Sequence, residues 1–98
     1  MTKVKITLET EENILGVFLH HPGQKWPEPL PGAAHTVERK LVDGLYHVAL
    51  SGTGLHPGAL VSVTFATDTD SEKRTRAVYV DGTLAELIPF QLTGQDVQ

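Results

Sequence analysis

Three histidines, His20, His21 and His35, flank one Pro-rich stretch of the chain. Imidazole is the commonest metal-binding side chain. If the ends of that stretch meet, two or three rings converge, as a catalytic zinc site with an open position requires. The adjacent pair limits the idea. Neighbours on a strand project to opposite faces, so only one of His20 and His21 can join His35. No His-Glu-x-x-His spacing is present, and His47 and His56 lie elsewhere. Rim histidines are the simpler reading, and no resident metal or cofactor is expected. Asp68, Asp70 and Glu72 are a second candidate, because alternate acids open a calcium loop. The sixth place holds Lys73 instead of Gly and the twelfth Tyr79 instead of Glu, so this is no EF-hand. Nucleophiles are scarcer still. There is no cysteine, and Leu50-Ser51-Gly52-Thr53-Gly54 lacks the Gly before Ser that a nucleophile elbow needs. Gly52 and Gly54 precede no helix and cannot cradle a phosphate.

The one tryptophan offers a different chemistry. It stands in Lys25-Trp26-Pro27-Glu28-Pro29-Leu30-Pro31, inside a stretch at 22–34 with Pro at 22, 27, 29 and 31 and Gly at 23 and 32. That composition predicts one long loop, partly polyproline-like, with no strand pairing. Loops of this length without regular structure are uncommon in compact domains and often functional. Trp26, with Lys25 and Leu30 beside it, suits a recognition anchor or a sugar-stacking platform. The alternative is that Trp26 folds inward and caps the core. The prolines alternate and do not follow Pro-x-x-Pro, so an SH3-type ligand is not indicated.

The whole chain narrows the classes. Its 98 residues suit one domain, 1–98, and 40% hydrophobic with 20% charged residues reads as ordinary globular protein. A formal charge of −4 and eight scattered basic residues argue against a nucleic-acid surface. No apolar run approaches membrane-spanning length, and the N-terminus alternates like a strand instead of resembling a signal peptide. A cytoplasmic setting is the default expectation.

The elements that must carry these residues are strands. Val4, Ile6 and Leu8 alternate with polar neighbours, residues 14–20 are nearly all apolar, and 59–66 alternate again. Asp43-Gly44 and Asp81-Gly82 each lie between strand-forming runs and predict two-residue hairpins. Thr83-Leu-Ala-Glu86 has capping-box spacing, but Pro89 would end such a helix almost at once. Residues 94–98 read as a frayed tail. About seven strands with regular turn signals predict an all-β, antiparallel, immunoglobulin-like sandwich, with a small β-barrel as the alternative. The expected core comprises Val4, Ile6, Leu8, Leu41, Tyr46, Val48, Leu50, Val61, Val63 and Phe65.

Register within the expected hairpins sharpens the reading. In the first, Leu41, Tyr46, Val37, Val48 and Leu50 share the core side with Arg39. That cation either snorkels at the rim or is fixed for a partner carboxylate. In the second, neither side is cleanly polar. Val78, Val80, Ala85 and Leu87 lie opposite Tyr79, Leu84 and Ile88, so a second covering surface is expected: the Pro-rich loop or a second copy of the chain. The leading functional expectation is a non-enzymatic interaction or assembly domain, with a protein partner or self-association as a homo-oligomer. Its contacts would be Trp26, Lys25, Leu30, Arg39, Val78, Val80 and Leu87. A carbohydrate or small-ligand module built on Trp26 is the second reading, and a His-based metal-dependent enzyme the third.

Overall fold

A computed structural model describes residues 2–11, 13–14, 16–67, 74–79, 82–93 and 96–97. Its strands in chain order are β1 (Thr2–Thr10), β2 (Gly16–His20), β3 (Glu28–Pro29), β4 (His35–Leu41), β5 (Gly44–Thr53), β6 (Leu60–Thr67), β7 (Arg74–Tyr79), β8 (Thr83–Thr93) and β9 (Asp96–Val97). They form two antiparallel sheets, β4-β1-β6-β7 and β3-β2-β5-β8-β9, each open at its edges. The fold is a β-sandwich and not a closed barrel. Among the described residues no helix is long and apolar enough to cross a membrane.

Alternation builds the core. All ten residues expected inside are buried, joined by Ile14, Val17, Leu19, Leu55, Leu84, Ile88, Phe90 and Leu92. An aromatic column crosses between the sheets: Tyr46 of β5 stacks on Phe90 of β8 at 5.1 Å, and Phe90 on Phe65 of β6 at 4.2 Å. Such contacts add to the area that the rings bury.

Both expected hairpins are absent, for one physical reason. Strand β4 pairs with β1, and β5 pairs with β2 and β8. The link at Val42-Asp43 therefore steps from one sheet to the other. Tyr46 Oη donates a 2.6 Å hydrogen bond back to the Val42 carbonyl, the arrangement of a corner tyrosine at a sheet-changing turn. Burial of the ring pushes the Tyr46 hydroxyl pKa up, with the Val42 bond opposing the shift and the Asp43 charge adding to it. Gly44 has φ +156°, and a Cβ there would stand 2.9 Å from Pro22 Cγ, so close packing also asks for glycine. Asp81 lies outside the described residues, but the flanking strands again part company: β7 pairs with β6 and β8 with β5. Gly82 has the positive φ expected of it, +80°. Asp-Gly marks a reversal of chain direction. It does not say whether the next strand rejoins the same sheet.

Two further expectations are corrected. The 22–34 stretch does pair: Pro29 and Glu28 stand opposite Phe18 and Leu19, and Leu30 N–H donates to the Val17 carbonyl at 2.8 Å. Proline survives there because an edge strand needs donors on one side only. Pro89 pairs with β5 on one flank, and on the other β9 reaches only Leu92 and Thr93 among the described residues, so β8 tolerates a residue that cannot donate there. The supposed tail returns at Asp96–Val97 as β9, and residues 83–86 are strand, as the Pro89 argument against a helix implied.

Candidate interaction surfaces

The Pro-rich segment has a fixed base and an exposed tip. Its base lies along β2 through the β3 pairing, and Ile14 N–H donates to the Gly32 carbonyl at 2.9 Å. Leu30 packs against the core from this base and is only partly exposed. Beside it, Glu28 points inward from β3 and meets Arg39, which points inward from β4 of the other sheet. Arg39 Nε donates to Glu28 Oε2 at 2.7 Å, a second guanidinium nitrogen lies 2.6 Å from the same oxygen, and Nη1 donates to the Glu38 carbonyl at 2.8 Å. His21 Nε2 lies 3.1 Å from Glu28 Oε1, and its ring meets Tyr46 edge-on at 5.7 Å. The Arg39 hydrogen bond, against an opposing desolvation and with help from His21, holds the Glu28 carboxyl below its ordinary 4.5. This network clips the edges of the two sheets together. Arg39 is therefore engaged within the chain and is not a free cation for a ligand.

Trp26 stands at the tip and is 76% exposed, which rules out the core-cap role. The Lys25 ammonium lies 5.6 Å from the centre of its ring, within cation–π reach. The tip leaves β2 just beyond His20, at the end of the sandwich where exposed Val42 and half-exposed Leu45 also lie.

The histidines are not gathered. His20 is exposed at the end of β2, and His21 turns inward to Glu28. His35 opens β4 opposite Leu8, with Nδ1 2.8 Å from the Ala33 carbonyl. It stands a strand length from Leu41 and the β4–β5 corner, where His21 lies, so the loop ends do not meet and the condition for convergence is not fulfilled. No group of three His, Asp or Glu side chains suited to a metal occurs among the described residues. Asp68, Asp70 and Glu72 lie outside them, as does Val80. An open groove of about 760 Å³ at the far end is lined by Glu9, Glu11, His56, Leu60 and Ser62, among others.

The surface that sequence reasoning came nearest to is the outer face of the five-stranded sheet. Pairing aligns Pro29, Phe18, Ala49 and Leu87 in one row across four strands. The next row is His20, His47 and Pro89, then Leu45 beside Gln91; on the other side stand Gly16, Ser51 and Ala85. Leu87 is 59% exposed and Leu45 46%. Among the described side chains this face has no Lys, Arg, Asp or Glu; Asp96 stands in register with Thr93 at its margin. The apolar excess assigned to a second hairpin thus belongs to β8. Val78 is not part of it, since β7 lies in the other sheet and Val78 packs against the core.

Compared with known proteins, the chain matches no family model, no curated protein and no solved structure.

Proposed function

We propose that this chain is a non-enzymatic interaction or assembly domain that makes contact through the outer face of the five-stranded sheet and the Trp26 loop tip. The observation that carries the reading is the outer face, without Lys, Arg, Asp or Glu among its described side chains, and its apolar row Pro29–Phe18–Ala49–Leu87. The water-facing side of an antiparallel sheet is ordinarily polar, and contiguous apolar patches on soluble proteins mark contact sites. The framework supports it in general terms. A sandwich with corner tyrosine is immunoglobulin-like in layout, and such folds lend loops and faces to binding, although layout alone assigns no activity. A charged fraction of 20% suits an aqueous compartment, with the cytoplasm as default. The test is Leu87→Glu. At concentrations dilute enough to keep the chain monomeric, this variant should keep the wild-type melting curve and lose binding of an apolar-surface dye; equal dye binding by both monomers would sink the reading.

Trp26 supports a second reading, a carbohydrate or small-ligand module. A tryptophan 76% exposed on a proline-stiffened tip suits stacking on a sugar ring. Titration of Trp26 fluorescence with simple saccharides tests it, and an unchanged spectrum at saturating sugar would remove it.

A further inference from the structure

We infer that the occupant of the five-stranded sheet's outer face is a second copy of this chain, packed face to face about a two-fold axis. The inference rests on the interaction reading above and names its partner.

Charge is the first argument. A two-fold interface sets a patch against itself, so a residue on the axis meets its own image and any buried charge off the axis needs an opposite charge within the same patch. A neutral patch escapes that requirement. The outer face of the five-stranded sheet presents Phe18, Leu45, Ala49, Ala85 and Leu87, with His20 and His47 beside them and no Lys, Arg, Asp or Glu among its described side chains. The opposite outer face carries Lys3, Lys5, Lys40, Glu38 and Glu9, which self-packing would bury. Only the first face meets its own image without burying a Lys, Arg, Asp or Glu among its described side chains. A partner of strong charge would find no counter-charge there.

Area is the second. Ten residues of β5 across the three spacings from β3 to β8, at ~3.3 Å per residue and ~4.8 Å per spacing, give roughly 500 Å² of flat face per copy. Two copies bury roughly 1,000 Å², the low end for a specific interface. The expected assembly is a dimer that dilution dissociates.

Shape is the third. Sheets pack face to face at ~10 Å when small and medium side chains interdigitate. Here Gly16, Ala49 and Ala85 alternate with Phe18 and Leu87, which offers hollows beside knobs.

Light scattering coupled to size exclusion tests it, across a concentration series reaching about 100 μM, where weak interfaces are populated. Wild type should approach twice 10.7 kDa and fall toward 10.7 kDa on dilution. Leu87→Glu, and separately Ala49→Glu, should stay at the single-chain mass with an unchanged strand-type circular dichroism spectrum. Thr64→Glu on the opposite face should dimerise as wild type does. A wild type that is monomeric throughout overturns the second copy. If that monomer still binds an apolar dye through Leu87, the face serves another partner; if it does not, the interaction reading falls as well.

Discussion

On the four-stranded sheet the outward side chains include Lys3, Lys5, Thr7 and Glu9 of β1, with Thr36, Glu38, Lys40, Thr64 and Thr75 beside them, and Leu60, Ala66 and Ala77 toward β7. Glu38 sits between Lys3 and Lys5 at 3.6 Å from each, and hydroxyls pair at 3.1 Å in Thr7–Thr36 and Thr64–Thr75. Each group there meets water or a neighbour of its own kind. On the five-stranded sheet the same positions hold Phe18, Leu45, Ala49, Ala85 and Leu87. The two sheets share one core and the same alternation, so folding alone does not explain the difference. Stability is satisfied by the inner faces. What an outer face carries beyond solubility is free to serve contact, and only the five-stranded sheet's face lacks Lys, Arg, Asp and Glu among its described side chains.

The comparison breaks first if inner and outer positions of β8 respond alike. Phe90, 1% exposed and stacked on two rings, should cost about 3–5 kcal/mol as Phe90→Ala in urea denaturation. Leu87→Glu, three residues away on the outer face, should change the stability of the isolated chain by no more than about 0.5 kcal/mol. Comparable losses would make Leu87 a core residue and erase the distinction.

The two Asp-Gly glycines sharpen it next. Gly44→Val drives a side chain into Pro22 and should cost about 1–3 kcal/mol, because packed contacts must shift. At Gly82, where a Cβ meets nothing within 4 Å, Gly82→Ala should cost only the strain of φ +80°, about 1 kcal/mol. Thermal or chemical denaturation of the pair should show Gly44→Val as the worse; the reverse order would mean that Pro22 does not lie against the corner.

Acid should loosen the clip that joins the sheets at β3 and β4. Glu28 titrates below 4.5 when folded, so the native state binds fewer protons than the unfolded chain in that range. Its contribution is therefore present above about pH 4.5 and is lost as pH falls through the lower folded value. Stability measured from pH 7 to pH 3 should fall in that window, and Glu28→Gln should flatten that part of the profile. Parallel profiles for both proteins would show that the carboxylate is not the titrating group.

The smallest effects belong to groups that touch mainly solvent. Trp26→Ala and Glu38→Ala should each leave stability within about 0.5 kcal/mol, since exposed side chains and surface ion pairs contribute little. A loss of several kcal/mol from Trp26→Ala would place that ring inside.

Which residues face inward was legible because alternation is local. Leu41, Tyr46, Val48 and Leu50 are buried although the hairpin used to align them does not exist. Strand partnership was not legible, since Asp-Gly serves a sheet-changing corner as readily as a hairpin. Tyr46, four residues after Val42, was the signal that could have separated the two. The oddness of Arg39 on a core face was visible, but its partner Glu28 lies on another sheet and was hidden among prolines. The surplus of apolar residues on 83–88 was legible too. Its location was not, because Ala85 and Leu87 gain their meaning only beside Phe18 and Ala49, brought there by β2 and β5.

The most direct test of the contrast between the outer faces is a dilution series followed by amide NMR. From about 500 μM downward, a range that spans a weak dimer, shifts should move with concentration at Phe18, His47, Ala49, Ala85 and Leu87. Those of Lys5, Thr7, Glu38 and Thr64 should stay fixed. Changes centred on the four-stranded sheet, or none on either face, would contradict the account.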